Sequence, residues 1–169
     1  MKTESLTMPA SAAKNACDLL DADHLAVKHL FVEYARQAYS LSASGEDRLA
    51  IARKICDELT VHATIEEEIF YPALEKALPD AADVVGEGRA EHQEAKELIA
   101  RIEGMQAVDE ELDETVAELA RLVEHHVKEE RDELFPKARA AAALDLGALG
   151  DQMRARQQAL MGGATAEKK

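Results

Sequence analysis

The sequence predicts an all-α fold, an up-down-up-down four-helix bundle with a short fifth helix towards the C-terminus. Three observations predict it. Ala, Leu, Glu, Lys and Arg dominate the composition, and these residues lose little on entering a helix. The apolar residues recur every three or four positions. The periodic stretches are long and the connections between them are short, which makes neighbouring helices antiparallel.

The elements follow in order. Residues 1–11 read as a flexible leader, 12–161 as the folded domain and 162–169, GGATAEKK, as a loose tail. The first helix is expected over 12–41 and stops at the Ser-Ala-Ser-Gly stretch ending at Gly45. The second is expected over 46–78, with Pro72 bending its last turns. Pro79 and Asp80 form the turn, and Asp80 can cap a third helix that reaches residue 103, just before Gly104. The fourth spans 109–135, with Pro136 marking a bend, and the fifth spans 146–161.

Length and charge narrow the function classes. A chain of 169 residues suits one domain with its own core. The net charge is −14, from 34 acidic and 20 basic residues. Such a surface repels nucleic acid and anionic membrane, so neither is an expected partner. No run approaches the roughly 20 apolar residues of a membrane-spanning helix. The first fifteen residues lack the basic start and long apolar stretch of a signal peptide, so the expected location is the cytoplasm. Cys17 and Cys56 form no CxxC pair and read as small buried thiols.

An internal repeat carries the chemistry. The second helix holds His62-Ala-Thr-Ile-Glu66, followed by Phe70-Tyr71-Pro72, and the fourth holds His126-Val-Lys-Glu-Glu130, followed by Phe135-Pro136. Both read H-x-x-x-E with an aromatic residue and proline behind. Asp23-His24 with Lys28 in the first helix parallels Glu91-His92 with Lys96 in the third. The bundle therefore looks like two copies of a helix pair, each supplying one lone His and one His-x-x-x-Glu.

Residues four apart lie about 40° apart around a helix, so His62 and Glu66 share a face, as do His126 and Glu130. Those faces are the apolar ones. Ile55, Leu59 and Ile69 flank His62 and Glu66, while Val116, Leu119, Val123 and Leu134 flank His126 and Glu130. His24 falls among Leu20, Val27, Phe31 and Tyr34, and His92 among Val85, Ala95, Ile99 and Ile102. Buried carboxylates cost several kcal/mol unless paired or bound to metal. Two divalent ions would compensate the set His24, His62, Glu66, His92, His126 and Glu130, with imidazoles as terminal ligands and carboxylates as bridges. Nitrogen and carboxylate donors without thiolate suit iron, manganese or zinc, and open positions at a bridged pair suit iron and dioxygen.

His125 falls on a solvated face with Glu118, Arg121, Lys128 and Glu129, so His126 is the expected ligand. His29 is turned away from His24. Glu67, Glu68 and Glu133 are expected on the outer or flanking surface. A histidine phosphotransfer bundle would present one exposed His, and a ferritin-like site would want Glu-x-x-His on two helices. Neither pattern is present.

At these residues the chain resembles the hemerythrin-like family, in particular the bacterial proteins with HHE cation-binding domains, over roughly residues 15–160. His24, His62 with Glu66, His92, and His126 with Glu130 match its motif in order, and EEEIFYPAL and HHVKEERDELFP resemble the segments that follow its second and fourth ligands. The resemblance implies a four-helix bundle around a non-haem, carboxylate-bridged di-iron site that binds dioxygen. The chain departs from the oxygen carriers at one place. They have H-x-x-x-H on the third helix, whereas Lys96 stands four residues after His92 and Gly88 four before it. That departure implies a site one nitrogen short, reacting with oxygen or another small oxidant, or sensing oxygen or iron, rather than carrying oxygen. Detoxification of peroxide or nitric oxide and oxidation of iron are the enzymatic alternatives. Lys96 either leaves an open position or extends away along the bundle, burying only its stem.

Overall fold

The computed structural model describes residues 15–40 and 45–167. All of the regular structure among them is helical. Helix α1 spans Ala16–Ala38, α2 Gly45–Ile65 and α3 Tyr71–Ala77. Helix α4 spans Ala82–Gly104, α5 Glu110–Glu129, α6 Phe135–Ala140 and α7 Leu146–Glu167. A π-turn, Glu66–Phe70, makes α2 and α3 one continuous arm, and a second, Glu130–Leu134, does the same for α5 and α6.

The four arms close a ring. α1 packs along α2, α4 along α5, α2 against α4, and α5 against α1. α7 lies outside this ring against α1 and α2.

Local chemistry sets the helix ends. Asn15 and Asp18 form a reciprocal capping box at the start of α1, each side chain accepting from the other's backbone N–H. Asp109 caps α5 by accepting from Leu112 N–H at 3.1 Å, and Asp145 accepts from Ala148 N–H at the start of α7. Asp80 does not cap α4: Pro79–Ala81 is a 3₁₀ turn, and Ala81 enters the helix without a side-chain cap. Four helix ends differ from expectation. α1 begins at Ala16, after its cap Asn15, and stops at Ala38, the fourth arm runs past Pro136 to Ala140, and α7 continues to Glu167. The expected leader, and residues 41–44, lie outside the described residues.

The two prolines explain the π-turns. An α-helix through Pro72 or Pro136 would press the ring on the carbonyl four residues back and lose that hydrogen bond. The chain widens instead. Tyr71 N–H reaches back to Glu66 O, and Phe135 N–H to Glu130 O, each one residue further than α geometry. Both wide turns start at a glutamate of the repeat, so the bends expected at the prolines are changes of helical pitch beside Glu66 and Glu130.

The core is in two parts. One apolar cluster holds Leu20, Ile65, Phe70, Leu74, Val85, Leu134, Phe135 and Met153. The other holds Val27, Tyr34, Ile55, Leu59, Ile99, Ile102, Leu112 and Leu119. Along every arm the repeated histidines and glutamates fall between the two clusters, so one polar layer crosses the bundle with an apolar plug at each end. Cys17 and Cys56 sit one in each plug as free, buried thiols whose pKa burial pushes up to about 12.

Ile102 is fully buried in the second plug. Ile102→Ala should lower the stability of the metal-free protein by about 2–5 kcal/mol, read by chemical denaturation, and should leave the number of cations bound unchanged.

Candidate metal centre

All six residues of the repeat converge on the polar layer. Glu66 and Glu130 are buried in its middle, with the rings of His24, His62, His92 and His126 around them. The His24 and His62 ring centres are 4.9 Å apart, and those of His92 and His126 are 4.8 Å apart. Each helix pair thus contributes one pair of adjacent imidazoles.

Two groups of donors result. His24, His62, Glu66 and Glu130 offer ligand atoms within 4.8 Å of one another, and so do Glu66, His92 and His126. The glutamates belong to both sides. Glu130 Oε1 lies 3.2 Å from His24 Nε2, and its Oε2 lies 3.2 Å from His126 Nε2. Glu66 Oε1 is 3.5 Å from His62 Nε2, 2.9 Å from His92 Nε2 and 3.6 Å from His126 Nε2.

The donor atoms fit a cation pair. His24 Nε2, His62 Nε2, His92 Nε2, Glu66 Oε2 and Glu130 Oε1 are buried and make no well-aligned hydrogen bond, although the imidazole nitrogens lie within ion-pair distance of the glutamates. Polar atoms so poorly satisfied in an apolar interior are costly, and here they crowd together. Neutral imidazole nitrogens and carboxylate oxygens are ordinary donors for divalent transition metals.

Three carboxylates fix the imidazoles from behind. Asp23 Oδ2 lies 3.1 Å from His62 Nδ1, Glu67 Oε2 2.7 Å from His92 Nδ1, and Glu91 Oε1 2.7 Å from His126 Nδ1. A carboxylate there holds the Nδ1 proton and leaves Nε2 free to donate to a metal. Glu67, expected on the outer or flanking surface, flanks the layer and orients His92, a role that its position alone did not reveal, and the roles of Asp23 and Glu91 were not expected. The repeated acid-His dipeptide was the available signal, because Asp23 and Glu91 stand at matching places in it. Glu68 does face outwards, paired with Arg156.

Lys96 takes the second of its two expected courses. Its ammonium reaches Glu67 Oε1 at 2.9 Å and its side chain is 48% exposed, so it extends along the bundle and backs the carboxylate that orients His92. His125 is 61% exposed and pairs with Glu91 and Glu129 at the surface, as its solvated face predicted.

Tyr71 was missed. In an α-helix a residue five places on points about 140° away from Glu66. The π-turn brings it back over the site, where its hydroxyl donates to Glu130 Oε2 at 2.8 Å and approaches Glu66 Oε1 at 3.3 Å.

A cavity of about 150 Å³ adjoins the layer, lined by the four histidines, by apolar residues that include Val27, Leu59, Ala63, Ala95, Ile99 and Val123, and by Asp23, Thr60, Thr64, Glu91 and Lys96. Its size suits a small molecule.

The family model described as the hemerythrin HHE cation binding domain matches residues 15–138. The chain belongs to the hemerythrin HHE cation-binding family. Uncharacterised proteins from Mycobacterium bovis and Mycobacterium tuberculosis are 27% identical to it over 150 residues, 88% of each chain. A DNA nickase from Nostoc sp. PCC 7120 is 29% identical over 130 residues, 74% of this chain, which spans about a third of the nickase (34%). A crystal structure of an HHE cation-binding domain-containing protein from Mycobacterium kansasii superposes with a TM-score of 0.71, covering 90% of this chain and 91% of that one at 23% identity. That likeness is one of fold.

In this HHE domain the carboxylates of the layer raise the pKa of two of its imidazoles, His62 and His126. Burial alone would lower the His62 pKa, but Glu66 and Asp23 raise it to about 10. His126 is likewise raised against its burial, by Glu130, Glu66 and Glu91. Burial would raise Glu66, and His62, His126 and His92 hold it well below the usual carboxylate range. No described helix is long and apolar enough to cross a membrane.

A cation must displace the imidazole protons. Zinc or ferrous uptake at neutral pH should release protons, and apparent affinity should rise with pH towards about 10, where His62 gives up its proton unaided. Uptake should also raise the melting temperature. Glu66→Ala should abolish most of that gain and Glu68→Ala should keep it; equal behaviour of the two variants would show that the layer is not where the cation binds.

Proposed function

We propose that this chain holds two iron ions in the polar layer, bridged by Glu66 and Glu130, and binds or reacts with dioxygen or a related small oxidant. The reading rests on one observation above the others. Four imidazole nitrogens and two carboxylates converge in a layer sealed by apolar plugs, with a cavity opening on the histidines.

Each residue has a task. His24 and His62 hold one ion, and His92 and His126 hold the other. Asp23, Glu67 and Glu91 keep three of those rings in the tautomer that donates from Nε2. The side chains of Val27, Leu59 and Ile99 line the approach. Both cysteines lie in the apolar plugs, which leaves a donor set of nitrogen and oxygen. That set also accommodates manganese or zinc. Bound iron would supply the one-electron steps that dioxygen and peroxide chemistry requires.

Turnover or sensing is favoured over carriage. The nitrogen that the oxygen carriers place four residues after His92 is here Lys96, committed to Glu67 outside the layer. Anaerobic loading should give about two ferrous ions per chain. Mixing that protein with oxygen should convert it to the ferric form in one irreversible phase, followed by stopped-flow absorption. Uptake of at most one equivalent would overturn the two-ion reading. A form that returns its oxygen on evacuation would overturn the preference for turnover.

A further inference from the structure

Three carboxylates orient imidazoles of the layer, and each has a second partner on its other oxygen. Glu67 takes the Lys96 ammonium on Oε1 at 2.9 Å while its Oε2 holds His92. Glu91 takes His125 Nε2 on Oε2 at 3.3 Å while its Oε1 holds His126. Both of those partners come from the four arms of the ring. Asp23 differs. Its partner is Gln157 on α7, which lies outside the ring and beyond residue 138, where the match to the family ends.

The contact suits a carboxylate. Gln157 Nε2 donates to Asp23 Oδ1 at 3.2 Å and lies 3.4 Å from Oδ2, the oxygen that is 3.1 Å from His62 Nδ1. An ionised carboxylate only accepts hydrogen bonds, so the amide must turn its nitrogen towards it. The amide is neutral and leaves Asp23 its full charge towards His62, whereas the ammonium of Lys96 offsets part of that on Glu67. Asp23 is only partly buried. Without Gln157 its carboxylate is free to turn towards solvent and away from the imidazole.

Packing holds the amide in place. Met153 and Leu149 lie one and two turns before Gln157 on the same face of α7, and both are buried in the first apolar plug. The neighbouring Arg156 binds Glu68, but the two side chains are 41% and 47% exposed, and a surface pair of this kind contributes little. α7 thus presents one partly buried donor to the back of the first donor group.

We propose that Gln157 is a positioning residue of the metal centre: through Asp23 it fixes the orientation of His62, and so the affinity of the cation position at His24 and His62. The inference rests on the two-cation reading above and extends the centre to a helix outside the four arms. The position at His92 and His126 is oriented by Glu67 and Glu91 and does not depend on Gln157.

The test uses the full chain and zinc alone. Competition with a chelator gives the affinity of each equivalent, and proton–nitrogen correlation spectra of the zinc-loaded protein resolve the Nδ1 protons of His62, His92 and His126. The parent should bind two zinc ions and show all three protons. Gln157→Leu should weaken one equivalent about tenfold, as loss of an orienting partner does, and should broaden or lose the His62 proton alone. Gln157→Glu should do the same. Combining it with Asp23→Asn reverses donor and acceptor, so the double variant should recover the His62 proton. Arg156→Ala should match the parent. Two zinc ions bound by Gln157→Leu with both affinities and all three protons unchanged would overturn the positioning role. A loss shared by all three protons, with a lower melting temperature of the metal-free variant, would make Gln157 a packing residue and overturn it equally. Fewer than two zinc ions in the parent would bring down the two-cation reading and this inference together.

Discussion

Two carboxylates lie at the centre of an apolar bundle, and the arrangement of everything around them answers that burden. Desolvating a carboxylate costs several kcal/mol unless opposite charge and hydrogen bonds surround it. Glu66 and Glu130 are therefore met by four imidazoles at one level. The apolar plugs on either side exclude water and so make the electrostatic interactions inside the layer stronger. Without a cation His62 and His126 carry compensating charge as protons; with a cation bound the same nitrogens would serve as ligands. One set of side chains suits both states, because the carboxylates behind Nδ1 stay in place while the occupant of Nε2 changes.

The approximate twofold repeat makes this layer, and its imperfections tell the halves apart. Asp23 and Glu91 match, and each orients the histidine of its own pair's second helix. Glu67 has no such counterpart. Five residues after His126, where symmetry would place a carboxylate for His24, the chain has Arg131, which accepts no hydrogen bond. His24 Nδ1 has no hydrogen bond and only a distant carboxylate, Asp21 at 3.8 Å, while Phe135 stacks beneath its ring. One lone histidine is thus held by a carboxylate backed by Lys96, the other by an apolar ring. The two groups of donors differ in the charges behind their histidines and in the hydroxyl of Tyr71.

The helical architecture and the layer's six residues were legible because they rest on periodicity alone. His24, His62, Glu66, His92, His126 and Glu130 occupy apolar stripes, and four-residue spacing puts each His–Glu pair on one face. The separation of His126 from His125 was readable in the same way, since one residue is about 100° of rotation. What the sequence hid depends on departures from that period or on contacts across helices. Tyr71 was invisible because the π-turn changes the angle per residue just before it. Glu67 read as surface because it is partly exposed, and only its contact with His92 on a neighbouring arm gives it a task. The course of Lys96 was undecided for the same reason: its partner is on another helix. Where backbone geometry rather than a side-chain cap sets a helix end, the sequence misled: the cap expected from Asp80 is absent at Ala81, and the fourth arm runs on to Ala140.

The account stands on a pair of cations relieving the buried glutamates. Anomalous X-ray scattering at the iron edge, from crystals of protein loaded anaerobically with ferrous iron, tests this most directly. Two peaks roughly 3.5–4 Å apart are expected, one beside His24 and His62 and the other beside His92 and His126, with Glu66 and Glu130 between them. A single peak, or iron only at the surface group of Glu91, His125 and Glu129, would contradict it.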